Sequence, residues 1–298
     1  MLHIEKYGAV DIGSNAIRLL VATVIEEEGK DTLFKKTSLV RVPIRLGEDV
    51  FVHGEISPQN TSRMIDAMNA FSLLMKTHKV KRYKACATSA MREASNGMEI
   101  AAIIKDETGI EINIIDGDDE AAIIASTDLK SLIKNDKVFL YVDVGGGSTE
   151  LTVFANGHKI ASHSFKIGTV RLISDIVSDA MWREMEEWIK EQTKPFETIA
   201  VIGSGGNINS IFKQSGKKAG LPLSYFYLVS YYKLINSYSE EQRITEMDMN
   251  PDRADVIIPA TKIYLSAMKW SHSKSIYVPK IGLTDGIIKS LYNEKLAE

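Results

Sequence analysis

Asp143-Val-Gly-Gly-Gly-Ser-Thr-Glu-Leu151 is the stretch whose reading decides the fold. Val138-Phe-Leu-Tyr-Val142 precedes it, an apolar run of β-branched and aromatic residues that reads as a buried strand. Thr152-Val-Phe-Ala155 follows as the returning strand. Three glycines turn the chain between them, and glycine lets another group approach the bare backbone. Asp143 and Glu150 stand at the two mouths of the turn, with the hydroxyls of Ser148 and Thr149 between. Backbone N–H groups and hydroxyls suit phosphate oxygens, and paired carboxylates suit a hard cation such as Mg2+. A single stretch of this kind is equally well explained as a glycine hairpin with flanking acids.

The pattern occurs twice. In Val10-Asp-Ile-Gly-Ser-Asn-Ala-Ile-Arg-Leu-Leu-Val21, Asp11 answers Asp143, Gly13 answers Gly145, Leu19 answers Leu151 and Val21 answers Val153. Arg18 stands where Glu150 stands. A repeat of strand, Asp, glycine-bearing turn and strand predicts two similar half-structures. If the halves face one another, the two turns point into one cleft. A phosphate chain is then held by Arg18 from one half and by a metal on the carboxylates of the other.

The totals set bounds. The 298 residues suffice for two domains, divided here at 1–124 and 125–298, with the final helix 284–297 a candidate to pack back on the first. With 44% hydrophobic and 25% charged residues, the composition is that of a globular protein with a sizeable core. The single cysteine, Cys86, can form no intramolecular disulfide. Met1-Leu-His-Ile-Glu-Lys-Tyr7 lacks the pattern of a signal peptide, and no apolar run reaches membrane-spanning length, so a cytoplasmic location without membrane association is expected. The net charge of −3 argues against general DNA binding.

Along the chain, residues 7–25 read as the first hairpin and Leu33–Val42 as a third strand that Pro43 ends or places at an edge. Arg41-Val-Pro-Ile-Arg45 is basic. Ser57-Pro58 opens a helix over 58–78, whose methionines Met64, Met68 and Met75 fall at core spacing. Tyr83–Thr88 reads as a strand running into Ser89-Ala-Met-Arg92, which offers hydroxyls and an arginine to an anion. A Ser89 N-cap with Arg92 in a surface ion pair explains that segment more simply. A helix from Met98 to Thr108 stops at Gly109, and Glu111–Ile115 is a short strand. Asp118, Asp119 and Glu120 then precede the helical pattern 121–133, where the helix dipole alone favours acids. The alternative is that one of the three activates a water, and spacing does not choose among them.

In the second half, Asn156-Gly157 is a two-residue turn, and Lys166-Ile-Gly-Thr-Val-Arg171 opens a helical stretch. Trp182, Met185, Trp188 and Ile189 mark the buried face of the next helix. Ile199-Ala-Val-Ile-Gly-Ser-Gly-Gly-Asn207 is a strand ending in a third phosphate-type turn. The aromatics Tyr225, Phe226, Tyr227, Tyr231 and Tyr232 read as packing groups. Arg253 lies near the start of helix 257–270, where a cation needs Asp252, Asp255 or a bound anion beside it. Ser275–Pro279 reads as the last strand.

Taken together, Asp11-Ile-Gly-Ser-Asn15 through Arg18, Ala87-Thr-Ser-Ala-Met-Arg92, Gly117 with Glu120-Ala121, Asp143 to Glu150, Gly203-Ser-Gly-Gly206 and Arg253-Ala-Asp255 resemble the exopolyphosphatase / guanosine-pentaphosphate phosphatase family, in family order over nearly the whole chain. The family belongs to the actin-like and sugar kinase superfamily. The resemblance implies an α/β fold of two ribonuclease-H-like (actin-like ATPase) domains with an interdomain cleft. It also implies Mg2+- or Mn2+-dependent removal of a terminal phosphate from polyphosphate or pppGpp, and a possible homodimer. It makes the residue matched by Glu120 the base for water. Phosphate binding falls to Ser14, Asn15, Arg18, Ser89, Arg92, Gly145, Gly146, Gly147, Ser148, Gly205 and Arg253, and metal binding to Asp143 and Glu150. Two departures stand out. Longer members continue into a helical C-terminal region, so a short two-domain form is expected. Gly282-Leu-Thr-Asp-Gly286 replaces the family's Gly-Leu-Arg-Glu-Gly. The competing readings are a sugar or acetate kinase in the same fold and a non-catalytic polyphosphate or alarmone sensor.

Overall fold

A computed structural model describes residues 2–125, 127 and 137–298. The chain divides into two compact units, Met1–Thr127 with Gly282–Glu298, and Asp128–Ile281.

In the first unit, β1 (Leu2–Ile12), β2 (Ile17–Glu27) and β3 (Leu33–Val42) form an antiparallel meander. Pro43 directly follows β3, which is an edge strand, where its missing N–H costs no ladder bond. α1 (Leu46–His53) comes next and was not foreseen, because Gly47 and two acids obscure a helix of two turns. α2 (Pro58–Thr77) starts where expected: Ser57 Oγ accepts from the Asn60 N–H, and proline sits in the first turn. Met64, Met68, Phe71 and Met75 of α2 pack on Val10, Ile12, Leu19 and Val21 of the sheet, which confirms the methionines as core. β4 (Arg82–Ala87) runs parallel to β1, and α3 (Ser89–Glu93) follows it. α4 (Gly97–Thr108) ends at Gly109 with φ 73°. β5 (Ile112–Ile114) runs parallel to β4, giving the order β3-β2-β1-β4-β5. α5 covers Gly117–Ala125, and the rest of the helix expected over 121–133 lies outside the described residues. Cys86 is buried on β4, and desolvation pushes its thiol up to about 11, so it stays protonated at neutral pH.

The second unit repeats this plan. β6 (Val138–Val144), β7 (Thr149–Ala155) and β8 (His158–Phe165) form the meander, and α6 (Thr169–Ile173) and α7 (Asp179–Thr193) follow. β9 (Ile199–Ser204) runs parallel to β6 and leads into α8 (Gly206–Gln214). β10 (Leu223–Ser224), α9 (Tyr225–Ser237), α10 (Glu240–Thr245), α11 (Pro251–Ala254), α12 (Ile257–Trp270) and β11 (Ser275–Tyr277) complete it, in the order β10-β11-β9-β6-β7-β8. Every residue of β7 is buried, because both faces of this central strand are covered. Of the α9 aromatics, Tyr231 enters the core and Tyr225, Tyr227 and Tyr232 pack against it. Phe226 departs from expectation, being 81% exposed.

The repeat extends to its irregularities. β2 and β3 shift register between Val21 and Ala22, and β7 and β8 shift between Val153 and Phe154, the same place in each copy. Each bulge moves one strand by a residue and so exchanges its faces. From the pair Ala155–His158 at the turn, unbroken counting would set His163 opposite Glu150; the bulge sets Ser164 there instead.

The last helix, α13 (Leu283–Ala297), belongs to the first unit and packs on β1, β2, β4 and α5. Lys295 pairs with both Glu5 and Glu26, and Lys84 with Glu294. Asp285, where the family pattern has glutamate, accepts the Gly282 N–H and pairs with Lys36. Gly286 is required by contact: a Cβ there would stand 2.3 Å from the Ile123 carbonyl oxygen of α5. Gly286→Ala is expected to destabilise the protein by about 1–3 kcal/mol, as overpacked sites do, read as a lower urea midpoint. An unchanged midpoint would contradict this seating of α13 on α5.

Candidate active site

The first unit gathers its polar groups where β1 and β4 end. Asp11 lies opposite Arg18 on β2 and beside Cys86 on β4. Arg18 Nη1 is 2.5 Å from Asp11 Oδ2, with Asp11 buried and Arg18 32% exposed. The turn that follows is closed by Gly13 N–H on the Ala16 carbonyl at 3.2 Å. The start of α1 holds it from outside, with the Gly47 N–H on Ser14 O at 2.8 Å and the Arg45 N–H on Asn15 O at 3.1 Å. Arg45 takes a left-handed conformation (φ 61°) to do so. Ser14 Oγ and Ser89 Oγ are 2.9 Å apart and buried, tying the turn to α3.

Thr88, not Ser89, is the residue before α3, and it makes no side-chain cap bond. Arg92 Nη1 donates to the Ile115 carbonyl at 2.6 Å, a main-chain contact in place of the surface ion pair that the simpler reading supplied. Among the three acids of the first turn of α5, Asp118 and Asp119 are exposed, while Glu120 is buried at 9% exposure.

The second unit presents the related arrangement with a different charge. Asp143 and Glu150 are opposite one another on β6 and β7. Glu150 is 2% exposed, and its Oε1 accepts from Ser148 Oγ at 2.6 Å and Ser164 Oγ at 3.0 Å. Ser204 Oγ lies 3.2 Å from Asp143 Oδ2 and 2.9 Å from the Ile281 carbonyl, and its single proton serves one at a time. Gly205 (φ 106°) packs on this carboxylate; a Cβ there would be 3.3 Å from Asp143 Oδ1. Tyr264 is fully buried and donates to the Ser204 carbonyl; burial first, then the charge of Asp143, pushes its phenol well above the usual range. Arg253 lies in α11, its guanidinium against Gly206, where a Cβ would meet Nη1 at 2.6 Å, and Nη1 is 3.3 Å from Asn207 Oδ1.

The glycine turn itself is oriented by α6. The carbonyls of Gly145, Gly146 and Gly147 accept respectively from the Thr169 N–H (3.0 Å), the Val170 N–H (2.9 Å) and Arg171 Nε (2.7 Å). In a trans peptide the N–H points opposite to the C=O, and no peptide here is cis. The N–H groups of Gly146, Gly147 and Ser148 therefore point away from α6 in succession, the backbone arrangement that receives anions.

The residues singled out in the sequence thus form two sets: Ser14, Asn15, Arg18, Ser89, Arg92 and Glu120 in the first unit, and Asp143, Gly145 to Ser148, Glu150, Gly205 and Arg253 in the second. Sequence reasoning missed the roles of Ser164, Tyr264 and Arg171, and it quoted Ser204 only as part of the third turn. The first depends on a bulge, and Tyr264 looks like any core position of a helix.

The second set fits a hard cation. Like charges directly opposite on paired strands destabilise a sheet, and Arg18 relieves that problem in the first unit by replacing one acid. Asp143 and Glu150, with hydroxyls around them, present the oxygen-only donors that Mg2+ prefers. Among the described residues, the one group of three or more possible ligands close enough to share an ion is His3, Glu5 and Glu26, and it already holds the Lys295 ammonium, whereas Asp143 and Glu150 are a pair.

The chain is 32% identical over 174 residues to exopolyphosphatase 2 of Mycobacterium tuberculosis, covering 57% of this chain and 54% of that one. It is 28% identical over 219 residues to the guanosine-5'-triphosphate,3'-diphosphate pyrophosphatase of Photobacterium profundum, covering 69% and 42%. The chain thus spans about half the length of the curated relatives it matches. The crystal structure of an exopolyphosphatase from Cytophaga hutchinsonii superposes with a TM-score of 0.83 at 21% identity over 97% of this chain and 98% of that one, which shows the two-domain actin-like fold. No helix among the described residues is long and apolar enough to cross a membrane. The model of the Ppx/GppA phosphatase family matches residues 24–295, and this chain belongs to that family.

Proposed function

We propose that the protein hydrolyses the terminal phosphoanhydride bond of linear polyphosphate. The observation that carries this reading is the Asp143–Glu150 pair at the mouths of a turn whose three successive amides point away from the helix that clamps it. The backbone amides, hydroxyls and guanidinium groups singled out at the turns suit phosphate oxygens. The name of the mycobacterial relative supports the same substrate.

In this reading the amides of Gly146, Gly147 and Ser148 bind oxygens of the terminal phosphate, and Ser14, Asn15, Ser89 and Gly205 line the turns that receive it. Arg18, Arg92 and Arg253 add charge-assisted hydrogen bonds. Mg2+ held by Asp143 and Glu150 would supply positive charge against the phosphoryl oxygens. Glu120 orients a water and takes its proton as the water oxygen bonds to phosphorus. The bond to the bridging oxygen breaks, and the shortened chain leaves with the electron pair. Such a reaction depends chiefly on positioning and charge neutralisation.

The test is phosphate release in Mg2+ from tripolyphosphate, long polyphosphate and pppGpp, side by side. Release from polyphosphate is expected, with Glu120→Gln lowering kcat by about 10²–10⁴-fold, the usual worth of a general base, and leaving binding within a few fold. Release from pppGpp alone would transfer the mechanism to the substrate named for the Photobacterium relative. Binding without release from any of the three would overturn the hydrolytic reading in favour of a sensor. Full turnover by Glu120→Gln would remove Glu120 from its role.

A further inference from the structure

The side chain of Arg171 is buried on α6, yet its Nε reaches back 2.7 Å to one main-chain oxygen, that of Gly147. The rest of α6 follows the same plan. The Thr169 and Val170 amides take the carbonyls of Gly145 and Gly146, and Gly168 has no room for a side chain, since a Cβ would lie 2.3 Å from Gly146 O. Glycine peptides are otherwise free to turn over, because no Cβ restricts them. The peptide joining Gly147 to Ser148 has its carbonyl fixed by a side chain, whereas those of Gly145 and Gly146 accept from main-chain amides. The first unit answers the same need with backbone, using the Gly47 and Arg45 amides on Ser14 and Asn15.

We propose that Arg171 is a positioning residue: it holds the Gly147–Ser148 peptide with its N–H turned toward the phosphate, without touching the phosphate itself. This rests on the phosphate-binding reading above. It assigns this work to the hydrogen bond that Arg171 donates from Nε.

Glutamine carries its amide nitrogen as many bonds from the backbone as arginine carries Nε, so Arg171→Gln keeps the donor and loses the charge. Arg171→Met keeps the length and loses both. Tripolyphosphate binding is measured by calorimetry in a Glu120→Gln background, so that turnover plays no part, together with the amide shifts of Gly146, Gly147 and Ser148 in the absence of ligand. The Gln variant is expected to bind within threefold of the parent with those shifts unmoved. The Met variant is expected to bind about 10–100-fold more weakly, the usual loss when a supporting contact behind a binding group is removed, at a melting temperature like the parent's.

Unchanged binding in a folded Met variant would overturn the proposal. So would a tenfold loss in a Gln variant that melts like the parent, and this comparison decides the matter alone if the Met variant does not fold. Failure of the parent to bind tripolyphosphate would overturn both this proposal and the function proposed above. Binding by the parent, with no release when Glu120 is present, would overturn the hydrolytic reading only.

Discussion

Two carboxylates set opposite one another on paired strands are the constraint on which the second unit is built. Asp143 and Glu150 face each other at the open end of β6 and β7, where their mutual repulsion works against the sheet. Directed hydroxyls from Ser148, Ser164 and Ser204 reach the two carboxylates. In the first unit the same position is Arg18, which neutralises Asp11 within the chain. One duplicated scaffold therefore carries two solutions to one electrostatic problem, a fixed guanidinium in one copy and a carboxylate pair suited to a cation in the other.

Backbone direction is the second theme. A phosphate site built from amides needs every carbonyl of the turn to be occupied elsewhere. α6 provides this for Gly145, Gly146 and Gly147, and the start of α1 provides it for Ser14 and Asn15. Both clamps come directly after the third strand of a meander, and both meanders carry a bulge at the same place. In the second unit the bulge selects which side chain meets Glu150, and the clamp selects which way the peptides of the turn point.

Much of this was legible in the sequence because it rests on local chemistry. The strand–turn–strand repeat, the Ser57-Pro58 helix start, the Gly109 stop and the core methionines each need only a few neighbouring residues, and the structure has them all. The motif residues divide between the two units. What was not legible depends on register or long-range packing. Ser164 meets Glu150 only through a bulge, and simple counting from the Asn156-Gly157 turn would have chosen His163. Tyr264 and Arg171 reach main-chain oxygens of residues far away in sequence. Spacing did not choose among the three adjacent acids, because a helix dipole favours all three alike; the family resemblance pointed to Glu120, and Glu120 is the one of the three that is buried.

The central claim is that the Asp143–Glu150 pair is a divalent-cation site. Its most direct test is Mn2+ binding followed by electron paramagnetic resonance without any phosphate present, comparing the parent with Glu150→Gln. The account predicts a bound Mn2+ that Mg2+ displaces in the parent, and an affinity at least about tenfold weaker in the variant, since removal of one charged ligand leaves a carboxylate too few. Equal Mn2+ affinity in the two proteins, both folded, would contradict it.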